Sequence, residues 1–90
     1  MGVSVHLHRV FQKYCGSLEK IEVNGSTVQE CLQNIILLYP EFEKAIFVAE
    51  GKLHPLIEVY VNSSSAYPDA LKKEVYDDDK IYIIHTLAGG

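Results

Sequence analysis

The stretch from Ser26 to Pro40, STVQECLQNIILLYP, leaves this chain the fewest ways to fold. Thr27 followed three residues later by Glu30 is a capping-box pattern, a hydroxyl and a carboxylate that can each satisfy an amide left open by the first helical turn. Val28, Leu32, Ile35, Ile36 and Tyr39 then recur at helical spacing. Pro40 closes the run, because its ring disfavours helical geometry in the residue before it. No other segment of the 90 residues carries a comparable stripe. A lone helix with one broad apolar face must bury it against something other than a helix, and a sheet with one apolar face is the partner that fits.

The rest of the chain supplies that sheet. Val3, Val5 and Leu7 alternate with Ser4, His6 and His8, the period of a strand with one buried face. Tyr14-Cys15-Gly16-Ser17 has turn chemistry, and Ile21 and Val23 flank Glu22 in a second alternating run that stops at Asn24-Gly25, so a hairpin is expected. LIEVYVN sets Ile57, Val59 and Val61 on one face and Glu58, Tyr60 and Asn62 on the other. KIYIIHTL follows the polar turn Asp77-Asp78-Asp79 and is rich in β-branched and aromatic residues. Between Glu41 and Pro55 no period is clear, and Phe42, Ile46 and Phe47 are expected to plug the end of the core. The order strand, strand, helix, strand, strand predicts a two-layer α+β domain in which the first two strands pair antiparallel and the helix makes a crossover. Residues 1–86 form the domain on this reading, and 87–90 a flexible tail.

Eight basic against twelve acidic side chains give a formal net charge of -4, a poor basis for neutralising phosphates, so nucleic acid is not an expected partner. Neither a bilayer-length apolar run nor the basic-then-apolar order of a signal peptide is present, and a cytoplasmic protein without a membrane partner is expected. Cys15 and Cys31 are not spaced as CxxC, which suits two reduced thiols, with Cys31 half-buried on the helix.

The chain closes on Leu87-Ala88-Gly89-Gly90. Gly89 and Gly90 have no Cβ, so the tail can extend through a channel too narrow for side chains and deliver the α-carboxylate of Gly90. A free carboxylate is a poor acyl donor until it is activated, for instance as an acyl-adenylate whose AMP a sulfur nucleophile displaces. The competing local reading is a frayed terminus without a role.

Four stretches together resemble the ubiquitin-like sulfur carrier family: STVQECLQNIILLYPEF as its first helix, VYVN as its central strand, VYDDDKI as the turn before its last strand, and LAGG as its ending. That family includes the small subunit of molybdopterin synthase, the thiamine-pathway carrier and the tRNA-thiolation modifier. The resemblance implies a ubiquitin-like β-grasp, a mixed sheet packed on one main helix. It implies that Gly90 is adenylated and then thiocarboxylated while Gly89, Ala88 and Leu87 thread into the activating enzyme. It also implies that this chain is no enzyme and binds no cofactor, ATP and magnesium being used by the activating partner. Expected partners are an adenylating enzyme of the ubiquitin-activating type, a sulfur donor protein and a larger synthase subunit. Molybdopterin assembly is the expected destination of the sulfur, with tRNA thiolation, protein modification or non-covalent binding as alternatives. The sequence departs from the family at Asp78, where a glycine is usual, and at His85-Thr86, where the molybdopterin branch has Pro-Pro.

Three further groups of residues bear on binding. Tyr60, Tyr82 and Ile84 fall opposite the inward-facing positions of their strands, which marks a docking patch on the uncovered side of the sheet. The same residues could instead form a minor cluster under the segment from Glu41 to Pro55. His6, His8 and His85 lie on strands that neighbour one another in a β-grasp, but their spacing is too loose to indicate zinc, and no metal site is expected. Asp77, Asp78 and Asp79 are consecutive and diverge, as in a solvated turn.

Overall fold

The computed structural model describes residues 2–87. The first strand, β1, covers Val3–Leu7 and is followed by a single helical turn, α1, at Arg9–Gln12. Strand β2 covers Lys20–Val23 and helix α2 Val28–Leu38. A short helix α3 (Phe42–Ile46) leads into a small hairpin of β3 (Phe47–Ala49) and β4 (Lys52–Leu53). Strand β5 spans Ile57–Val61, β6 is only Ser64–Ser65, and β7 runs Lys80–His85. The five-stranded sheet has the order β2-β1-β7-β5-β6, with β1 parallel to β7 and the other pairs antiparallel. This is the mixed α+β sheet on one main helix that the ubiquitin-like resemblance implies.

Helix α2 begins as its sequence dictates. Thr27 Oγ1 accepts from the Glu30 amide at 3.2 Å, while the Glu30 carboxylate reaches back to the Ser26 amide at 2.8 Å, one residue earlier than in the usual reciprocal box. The Val28 amide, a further open donor of the first turn, donates to the Lys73 carbonyl at 2.9 Å. Gly25 allows this close start, because a Cβ there would lie 2.7 Å from Cys31 Sγ and 2.9 Å from the Cys31 amide nitrogen.

Alternation then decides which side chains are buried. Val3, Val5 and Leu7 of β1, Ile21 and Val23 of β2, Ile57, Val59 and Val61 of β5, and Ile81 and Ile83 of β7 point inward against Val28, Cys31, Leu32 and Ile35 of α2. Each such aliphatic side chain contributes roughly 1.5–3 kcal/mol relative to leaving it exposed. Phe42 and Ile46 are fully buried and Phe47 half-buried, so the segment without a clear period does plug the core. Cys31 is completely buried rather than half-buried, as is Cys15, and that burial pushes both thiols up to about 11. α1 carries Phe11 into the core, where its ring meets Phe42 edge-on at 6.3 Å, and so forms a structured bridge inside the expected hairpin.

Asp78 has φ +73°. The Asp79 amide donates to the Tyr76 carbonyl at 3.0 Å, closing a turn with Asp77 and Asp78 at its centre. A positive φ at the third turn position alone is the sign pattern of a type II turn, which favours glycine or asparagine there. The Asp79 carboxylate ties this turn down, accepting from the Tyr76 amide at 2.9 Å and the Asn62 side-chain amide at 3.2 Å.

Candidate functional site: the outer sheet face and the root of the tail

Helix α2 covers one face of the sheet, and the period of the strands turns Lys20, Glu22, Ser4, His6, Lys80, Tyr82, Ile84, Glu58 and Tyr60 to the other. Long-range register arranges them in rows. Tyr60 lies opposite Tyr82, Tyr82 beside His6, and His6 opposite Lys20, a line crossing four strands. Glu58 lies opposite Ile84 in the next row. Glu58, Tyr60, Asn62, Tyr82 and Ile84 line a shallow depression of about 390 Å³. The three residues expected to form a docking patch therefore meet in one place, and no residue between Glu41 and Pro55 lines it. The alternative of a minor cluster beneath that segment does not describe this face.

Glu58 and Asn62 bring polar groups to the depression, and Tyr60 and Tyr82 bring aromatic rings. Tyr60 donates to a Glu58 carboxylate oxygen at 3.4 Å, and the His6 ring stacks on Tyr82 with centroids 4.7 Å apart and planes 21° from parallel. Partial burial in that stack lowers the His6 pKa from 6.5, and the positive charges of Lys20 and Lys80 lower it further. A neutral imidazole on a tyrosine ring is an amphipathic surface suited to contact with another protein.

β7 carries the chain from this face toward the tail. The Thr86 amide donates to the Leu56 carbonyl at 2.8 Å, and the His85 amide donates to His8 Nδ1 at 3.3 Å. Leu87, the next residue, is 71% exposed, so the backbone is tied down until it has cleared the sheet. Ala88, Gly89 and Gly90 lie outside the described residues, as does the greater part of the proposed flexible tail 87–90.

The three sequence-selected histidines do not assemble. His6 is held against Tyr82, whereas His8 and His85 meet at the tail root and are joined by His54, whose ring centroid is 5.9 Å from that of His85. His54 is fixed in place by accepting the Leu56 amide at Nδ1, 3.1 Å away. Sequence reasoning missed it, since only the fold brings β7 and the residue after β4 together. Among the described residues no group of three or more His, Cys, Asp or Glu side chains is arranged to hold a metal ion, and no helix is long and apolar enough to cross a membrane.

Comparison with known proteins agrees with this geometry. A sequence model of the ThiS family matches residues 9–90. A protein of Archaeoglobus fulgidus named "Putative sulfur carrier protein" is 30% identical over 76 residues, covering 83% of this chain and 85% of that protein. A chain from the crystal structure of the Amycolatopsis orientalis BexX/CysO complex superposes with a TM-score of 0.88 at 30% identity, covering 99% of this chain and 100% of that one. The solution structure of small archaeal modifier protein 1 from Methanosarcina acetivorans shares the fold, with a TM-score of 0.83 at 22% identity over 98% of this chain and 95% of that one.

Proposed function

The chain belongs to the ThiS family of ubiquitin-like sulfur carriers, and from that premise we propose that it carries sulfur as a thiocarboxylate on Gly90. The observation that carries this reading is that the family match runs through residue 90, over Leu87-Ala88-Gly89-Gly90, in a chain 30% identical over 76 residues to a relative named "Putative sulfur carrier protein". In the proposed first step a partner enzyme binds ATP and magnesium. The Gly90 carboxylate attacks the α-phosphate, expelling pyrophosphate and leaving an acyl-adenylate. The outer sulfur of a donor protein's persulfide then adds to the acyl carbon and expels AMP, giving an acyl disulfide. A thiol of the partner attacks the donor's inner sulfur, breaking the S–S bond so that the Gly90 thiocarboxylate leaves while a disulfide forms between the two partner sulfurs.

In this reading the chain's own residues position rather than catalyse. The bonds at His85 and Thr86 fix the point from which the tail leaves, and Leu87, Ala88 and Gly89 span the distance into the partner's channel. The depression around Tyr60, Tyr82 and Ile84 docks on the adenylating enzyme, and the same face later meets the synthase subunit that consumes the sulfur. Molybdopterin assembly is the destination proposed for that sulfur, and a relative in a BexX/CysO complex supports the partner-dependent carrier step that all destinations share.

The test is incubation with a cognate adenylating enzyme, ATP, magnesium and a sulfur donor, followed by intact-mass measurement. The mass is expected to rise by the difference between one sulfur and one oxygen, and deletion of Gly90 to abolish the change while the thermal midpoint holds. An unchanged mass with an enzyme that visibly consumes ATP would refute the proposal, and isopeptide conjugates to lysines would redirect it to protein modification.

A further inference from the structure

The sheet has two edges, and the protein treats them differently. β6 is two residues long, and the segment after it folds back so that the Ala66 amide donates to the Val59 carbonyl at 2.9 Å. β2 is four residues long and is the outermost strand at the other side. Its ladder with β1 shows which of its backbone groups are spent. The Leu7 amide donates to the Glu19 carbonyl at 2.9 Å, and antiparallel pairs alternate, so Ile21 and Val23 bond inward to Val5 and Val3. The amides and carbonyls of Lys20 and Glu22 therefore face outward, and neither residue's backbone makes a hydrogen bond beyond the sheet among the described residues. Open edges of this kind are templates for another strand.

We propose that this edge pairs with the same edge of a second copy, antiparallel and centred on Ile21, to give a two-fold dimer with one continuous ten-stranded sheet. The argument is self-complementarity. Within β2 Lys20 and Glu22 are the residues with outward backbone groups, and a two-fold axis at Ile21 places Lys20 opposite Glu22 of the second copy, twice. Each such pair exchanges two backbone hydrogen bonds and brings opposite charges together on the same sheet face. A shift by two residues in either direction would oppose a charged residue to an apolar or turn residue and lose the match. The pairing leaves the Tyr60 and Tyr82 depression uncovered. Because the two β7 strands then run in opposite directions, the two tails leave from opposite ends of the sheet. The dimer is independent of the chemistry at Gly90.

Sedimentation equilibrium up to about 1 mM protein tests it through charge reversal. Lys20→Glu sets Glu against Glu twice, and Glu22→Lys sets Lys against Lys twice, so each variant alone is expected to dissociate about ten- to thirtyfold more readily. An equimolar mixture of the two restores both attractions and is expected to form heterodimers, and the double variant Lys20→Glu with Glu22→Lys to dimerise like the wild type. A wild type that stays monomeric, or a mixture that stays as dissociated as its components, would overturn the proposal. A measurement free of variants is amide exchange by NMR. Protection of the Lys20 and Glu22 amides is expected to grow with protein concentration while that of Ile21 and Val23 stays constant, and concentration-independent exchange at all four would refute the pairing.

Discussion

Replacing Asp78 by glycine is expected to stabilise the protein, although glycine is ordinarily the more costly residue to order. Asp78 sits at φ +73°, and the only other described non-glycine residues at positive φ are Ser17 and Asn62. An L-residue held in the left-handed region costs about 1–2 kcal/mol, and aspartate falls at the tolerant end of that range. Glycine removes this strain but gives up about 0.5–1 kcal/mol of additional backbone entropy. With the strain at about 1 kcal/mol the net gain is up to about 0.5 kcal/mol, which for a domain of this size moves the thermal midpoint up by as much as about 4 °C. The change also removes one of three adjacent carboxylates, so Asp77→Gly is the matched control. It deletes the same charge in the same turn at a residue without positive φ, where only the entropy cost applies, and should lower the midpoint by about 2–8 °C. Thermal unfolding followed by circular dichroism at one pH and salt concentration reads both. Equal shifts in the two variants would mean that charge, not backbone geometry, governs the turn, and the reasoning would fail.

Gly25→Ala is expected to destabilise the fold by about 1–3 kcal/mol, since its Cβ would press on Cys31 Sγ at 2.7 Å and the Cys31 nitrogen at 2.9 Å; an unchanged denaturation midpoint would contradict that packing. Cys15 and Cys31, with thiols pushed up to about 11 by burial, should react with a thiol reagent in native buffer only as fast as the domain opens. Rapid native labelling would show that they are accessible. For His6, the folded pKa lies below the 6.5 of the unfolded chain, so the unfolded state binds more protons between the two values and stability falls as pH drops through 6.5. Denaturant midpoints at about pH 7.5 and about pH 5 should therefore converge partly in His6→Gln relative to wild type, and identical pH sensitivity in the two would exclude the effect.

Much of the fold was readable because its main elements follow strict periods. The stripe of α2 and the alternation of β1, β5 and β7 each fix a buried face locally, and the side of Tyr60, Tyr82 and Ile84 follows from the same parity. What parity does not give is register: that Tyr60 faces Tyr82, and that His6 stacks on it, depends on pairing between residues far apart in sequence. The depth of Cys31 was underread, although its place three residues after Val28 and four before Ile35 puts it in the middle of the stripe. α1, α3 and the β3–β4 hairpin were missed because helices of four and five residues are too short to repeat a 3.6-residue period, and strands of three and two residues too short to show an alternation. His54 carries no local signal at all. The turn at Asp78 was the reverse case: the position where the family usually has a glycine is one that the fold holds at positive φ.

The parallel register of β1 and β7 has a practical bearing. Val5 lies level with Ile81, so Val3 sits beside Asp79 while His85 is at the far end of the neighbouring strand. At about 3.3 Å per residue the two are separated by roughly 20 Å along the sheet. A fluorophore, affinity handle or surface tether fused before Val3 would thus stand at the opposite end of the sheet from Thr86 and Leu87, clear of the point where the chain leaves β7.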